Sequence, residues 1–111
     1  MDFAIQHEND TAVIKVNAQK LNAANAPDLK SELVLLNKNN VNNIVIDMSK
    51  CKYCDSSGLS AILVANRMCK DTNGKFILCG LQPNVEKLIQ IAQLDRVLSI
   101  ASNEKEALAL I

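Results

Sequence analysis

The run Ile44-Val45-Ile46-Asp47-Met48 most narrows what this chain can fold into. Its apolar residues do not alternate with polar ones. A strand with one face in water alternates, whereas a strand covered on both faces does not, and parallel sheets flanked by helices need strands of the second kind. The run therefore predicts a central strand in an α/β fold. Directly after it comes Cys51-Lys-Tyr-Cys-Asp-Ser-Ser-Gly-Leu59, which leads into a helical pattern starting near Gly58 and spanning Leu59 to Lys70. Serines and a carboxylate at a strand-to-helix turn make this stretch the candidate functional region.

The remaining pattern fits around that strand. Phe3 to His7 and Thr11 to Val16 predict a hairpin about the turn residues Glu8-Asn9-Asp10. Asn17 to Ala24 reads as a polar connection. Asn25 is a plausible N-cap with Pro27 in the first turn, and Leu29, Leu33 and Leu36 share one helical face. The Asn-rich stretch 37–43 stops that helix, and Asn73-Gly74 stops the next. Lys75 to Cys79 predicts a strand released by Gly80. Pro83 opens a helix with Val85, Leu88, Ile89 and Ala92 on its apolar face. Val97 to Ile100 predicts the last strand, and Ser102 or Asn103 caps a final helix carrying Ala107, Leu108 and Ile111. The order β-β-α-β-α-β-α-β-α predicts a mixed sheet of four to five strands with an N-terminal hairpin and about four packed helices. At 111 residues, one domain over 1–111 is expected.

Composition removes several function classes. Acidic and basic residues balance at 12 each with no basic run, so no nucleic-acid or anionic-membrane footprint is expected. Phe3, Tyr53 and Phe76 are the only aromatics, too few for a base-stacking platform. No apolar run approaches a membrane span, and the N-terminus lacks a signal-peptide profile, so a cytoplasmic protein without direct membrane insertion is expected. Neither G-x-G-x-x-G nor G-x-x-x-x-G-K occurs, and no cofactor is expected. Cys51, Cys54, Cys69 and Cys79 are irregularly spaced for zinc. A redox role for the Cys51-x-x-Cys54 pair would need a depressed thiol pKa, so small buried cysteines are the simpler reading and no metal is expected.

The turn itself admits three kinds of chemistry. Asp55 or Ser56 can cap the following helix, because their oxygens accept its unpaired first-turn N–H groups. A serine nucleophile would need a positioned base. His7, the only histidine, lies in the opening hairpin, and no catalytic residue or enzyme activity is expected. Thirdly, a serine can be acted upon. Phosphorylation adds about −1.5 to −2 charges at neutral pH. The helix N-terminus would favour that charge by ~0.3–2 kcal/mol, and Asp55 would oppose it. The larger consequence would fall on whatever docks there. Along the helix, Leu59, Ile62, Leu63 and Asn66 form one side, and Ala61, Val64, Ala65 and Met68 a second apolar strip. Two strips fit either a broad buried face or one buried face plus a partner-binding patch.

Ile44-Val-Ile-Asp-Met-Ser followed by Asp55-Ser-Ser-Gly-Leu59, together with Gly74-Lys-Phe-Ile-Leu-Cys-Gly80 and Leu94-Asp95, resembles the STAS domains of bacterial anti-sigma factor antagonists. The resemblance covers essentially the whole chain, including Leu21 to Ala26 as the loop before the first long helix. It implies a regulator that binds an anti-sigma factor which is also a serine kinase. Phosphorylation of Ser57, the second residue of the pair, would end the interaction, and a serine phosphatase would reset it. Taken together with the second apolar strip of the helix, the expected partner-binding residues are Asn22, Asp55, Ser56, Ser57, Gly58, Ala61, Val64, Ala65 and Met68. The family's Gly-x-Leu-Asp connection reads Gln19-Lys-Leu-Asn22 here, so a carboxylate is replaced by an amide. The alternative role is a stand-alone STAS subunit of a lipid-transport ABC ATPase complex, not regulated by phosphorylation.

Overall fold

A computed structural model describes residues 2–111. The elements are β1 (Phe3–Glu8), β2 (Thr11–Val16), the short β3 (Lys20–Leu21), α1 (Ala26–Lys38), β4 (Asn43–Asp47), the short β5 (Tyr53–Cys54), α2 (Ser56–Asp71), β6 (Phe76–Cys79), α3 (Pro83–Ile91), a 3-10 turn over Leu94–Arg96, β7 (Ser99–Ala101) and α4 (Glu104–Ala109). Five strands form a mixed sheet in the order β1-β2-β4-β6-β7. β1 and β2 are antiparallel, with Phe3 opposite Val16 and Glu8 opposite Thr11. The pairs β2–β4, β4–β6 and β6–β7 are parallel.

β4 is central, and its lack of alternation has a direct cause. Ile44 and Ile46 enter the larger core with Ile14, Leu29, Leu33, Ile62 and Leu78, under α1, α2 and α3. Val45, between them, enters a second cluster with Val13, Ile77, Cys79 and Ala107 of α4. Successive side chains on a strand point to opposite faces, so a strand covered on both sides must be apolar throughout. Parallel β4 and β6 then deliver the chain to the same end of the sheet, where the segment leading to α2 begins.

Three local differences from the sequence expectations have physical reasons. Asn25 occupies the N-cap position of α1 but makes no side-chain cap bond. Its Oδ1 instead accepts from the Asn22 backbone N–H at 2.9 Å, and its Nδ2 donates to the Lys20 carbonyl at 2.8 Å. A buried amide must be satisfied, and here it braces the loop rather than the helix. The connection 17–24 is also more than a link, because it carries β3, paired in parallel with β5 through Lys20–Tyr53 and Leu21–Cys54. Finally, the last strand is displaced to Ser99–Ala101 because Leu94–Arg96 form a 3-10 turn and Leu98 buries behind it. At α4, Asn103 rather than Ser102 is the cap, accepting from the Glu106 N–H at 2.9 Å.

Candidate functional site

The site begins where β4 ends. After Met48 the chain turns back to form β5 against β3, and the Asp55 N–H donates to the Leu21 carbonyl at 3.2 Å. Asp55 is still extended, and its Oδ1 accepts the Gly58 N–H at 3.1 Å. This carboxylate is the N-cap, so α2 starts at Ser56, earlier than the start near Gly58 expected from the apolar pattern. Ser56 and Ser57 occupy the first two helical positions, and neither hydroxyl is used for the cap. Gly58 lies inside the helix because of what surrounds it. A Cβ there would sit 2.6 Å from the Leu21 carbonyl oxygen and 2.6 Å from Cys54 Sγ. The glycine lets the start of α2 lie directly on β3 and β5.

Asp55 and Ser56 are exposed, and Ser57 is half-buried. Asn22 is half-buried too, its Oδ1 accepting from the Ala24 N–H at 3.0 Å. Asn22 and Asp55 share one shallow hollow with Lys20, Tyr53 and Cys54. Ser56, Ser57 and Ser60 line a neighbouring cleft against Pro27 and Lys30 of α1, where Lys30 Nζ donates to Ser60 Oγ at 3.1 Å. The fold thus brings the loop before α1 and the start of α2 together. Gly58 belongs to the same turn but is buried, and contributes by packing rather than by contact from outside.

The apolar strip needs correction. Ala61 and Ala65 have 0% exposure and face the core with Ile62, Asn66 and Cys69, so they leave the candidate surface. Small side chains allow close approach, and α2 packs on α1, β4 and β6. Val64 and Met68 are half-buried and remain. They line a groove with Leu59, Leu63, Arg67 and Leu94. The accessible apolar face therefore takes members from both strips read along the helix. Leu94 enters from the turn after α3, and no local pattern could have announced it.

Two cysteines, Cys51 and Cys54, sit beside this site. All four cysteines of the chain are free. Burial raises the Cys51 thiol pKa, and its sulfur lies 3.1 Å from the Tyr53 carbonyl. The Cys54 thiol is pushed up to about 12 by burial, with smaller contributions from Cys51 and Asp55. A thiol held protonated is a poor nucleophile. Among the described residues, no three His, Cys, Asp or Glu side chains are grouped to hold a metal ion, and no helix is long and apolar enough to cross a membrane.

The STAS domain profile matches residues 2–107. This chain belongs to the STAS domain family. BtrV of Bordetella bronchiseptica, a candidate anti-sigma factor antagonist, is 27% identical over 89 residues, covering 80% of this chain and 77% of that protein. Among solved structures, a STAS domain protein from Planctomyces limnophilus superposes with a TM-score of 0.89 at 22% identity, covering 99% of this chain and 97% of the other. The anti-sigma factor antagonist SpoIIAA of Bacillus has been solved unphosphorylated and phosphorylated. Its unphosphorylated form gives a TM-score of 0.82 at 23% identity over 96% of this chain and 92% of its own. At such identities the two structures speak for the fold alone, and that fold is the mixed five-stranded sheet with four helices described above.

Proposed function

We propose that this STAS domain is a non-enzymatic anti-sigma factor antagonist that works by partner switching. In its unmodified state it binds an anti-sigma factor with serine-kinase activity through the start of α2, the Asn22 loop and the groove lined by Leu59, Leu63, Val64 and Met68. The kinase transfers the γ-phosphoryl group of ATP to Ser57. The Ser57 Oγ–P bond forms, the bond from the γ-phosphorus to the β–γ bridging oxygen breaks, ADP leaves, and the hydroxyl proton passes to a base of the kinase. A serine phosphatase returns the hydroxyl by hydrolysis.

The observation that carries this reading is the position of Ser57 in the first turn of α2, one residue from Ser56 at the mouth of the apolar groove. Asp55 already supplies the cap, so the hydroxyl is free of that duty. Within the domain, a phosphate at this point gains ~0.3–2 kcal/mol from the helix N-terminus and loses part of it to Asp55. Buried in an interface without a partner charge, the same dianion costs roughly several kcal/mol. The modification therefore acts on docking far more than on folding. The names of relatives such as BtrV point the same way.

Incubation with the cognate kinase and ATP tests the reading by intact-mass and peptide mass spectrometry. One phosphate on the wild type and none on Ser57→Ala is the expected result. A phosphate that persists in Ser57→Ala refutes the site. Co-purification with a membrane ATPase, with no phosphate acquired, would instead favour the constitutive transporter subunit.

A further inference from the structure

Lys30 has no evident part in the fold, and its surroundings give it one in the modified protein. It lies on α1 directly after the buried Leu29. Its ammonium crosses to α2 and rests on a neutral hydroxyl, Ser60 Oγ, at 3.1 Å. Among the described residues the only ion pair is Lys15 with Glu104, so this cation has no carboxylate partner. Ser60 lies three residues after Ser57, and residues at that spacing are neighbours on a helix surface, about 5–6 Å apart at Cβ. Ser57, Ser60 and Lys30 line the same cleft.

We propose that Lys30 is the built-in counter-ion for phosphorylated Ser57, leaving Ser60 to bind the phosphate and closing the cleft between α1 and α2. This rests on Ser57 being the phosphoacceptor. A lysine on four flexible carbons can move one helical turn at little cost, and a phosphate adds to the ammonium's hydrogen bond the attraction of opposite charges that the Ser60 hydroxyl does not offer. Asp55 lies one position before the helix, with Lys20 in the adjoining hollow, while the remaining wall of the Lys30 cleft, Ala23, Ala26 and Pro27, is uncharged. Lys30 thus offsets the repulsion between Asp55 and the phosphate. Its single positive charge offsets only part of the phosphate's roughly −1.5 to −2, so the site still presents net negative charge to a docking partner.

The test is a phosphorus-31 NMR titration of the full chain carrying phosphoserine at position 57, installed during translation so that no kinase is needed. Wild type is compared with Lys30→Gln and Lys30→Arg. The second ionisation of the phosphate, near pH 6 when free, is expected ~0.5–1 unit lower in wild type than in Lys30→Gln. Lys30→Arg should restore most of that shift. Coincident titrations of wild type and Lys30→Gln, both shown to be folded by cooperative unfolding, overturn the assignment. A kinase that ignores Ser57 would refute the switch, whereas this titration reads the Lys30 contact independently of any kinase.

Discussion

Gly58→Ala sets two effects of opposite sign against each other, and the structure says which should win. Alanine is favoured over glycine by about 0.8–1 kcal/mol in a helix interior, an upper bound for this first-turn position, so propensity alone predicts a more stable protein. The new Cβ, however, would meet the Leu21 carbonyl oxygen and Cys54 Sγ, each at 2.6 Å, and Leu21 Cγ at 3.0 Å. The carbonyl cannot yield cheaply, because it is backbone and accepts the Asp55 N–H at 3.2 Å, the bond that leads into the α2 cap. Overpacking of this kind costs about 1–3 kcal/mol, and a backbone contact belongs in the upper part of that range. The net is a loss of about 1–2 kcal/mol, equivalent to a Tm lower by roughly 5–10 °C for a domain this size. Urea and thermal unfolding followed by circular dichroism measure it. A Tm equal to or above that of wild type would refute the close packing of the start of α2 on β3, and with it the account of why the helix begins at Ser56.

Three further outcomes follow from the same geometry. Asp55→Ala should lower stability by about 1 kcal/mol through loss of the cap, while Asp55→Asn, which can still accept the Gly58 N–H, should retain most of it, as read from urea midpoints. Stability should fall on the alkaline side. The Cys54 and Cys79 thiols are raised to about 12 and Cys69 to about 11, each chiefly by burial. Between an unfolded thiol pKa of about 9 and those values the unfolded chain binds fewer protons than the native one. This contribution is therefore whole below pH ~9 and is lost as pH rises through about 11–12, and urea midpoints that stay level from pH 9 to 11 would contradict it. Leu63→Glu, on a residue 37% exposed in the groove, should weaken kinase binding by about tenfold or more with cooperative unfolding intact. Calorimetric titration reads that effect.

Some of this was legible in the sequence for identifiable reasons. β4 announces its own centrality, because both faces of Ile44 to Ile46 must be apolar once α4 covers one side and α1 and α2 the other. Leu29, Leu33 and Leu36 mark the buried face of α1 in the same way, and all are buried. β3 and β5 were invisible because a two-residue strand has no periodicity to read. The apolar pattern marks the start of α2 late because its first turn is polar or glycine and apolar residues begin only at Leu59, whereas the cap chemistry of Asp55 decides the boundary. The two strips of α2 could not be sorted by spacing, since alanine suits a tightly packed face as well as an open one. Only the neighbours show that Ala61 and Ala65 point inward while Leu63 does not. The Lys30–Ser60 contact joins residues thirty apart in sequence on two helices, and nothing local predicts it.

The central claim is that a charge at Ser57 governs docking and leaves the fold alone. It is tested most directly by isothermal titration calorimetry of the cognate anti-sigma factor kinase against two forms of this chain, unmodified and phosphorylated at Ser57. The account predicts Kd higher by about a hundredfold or more for the phosphorylated form, the equivalent of roughly 3 kcal/mol, with closely similar urea midpoints for the two forms. Equal affinities, or a loss of binding matched by a loss of cooperative unfolding, would contradict it.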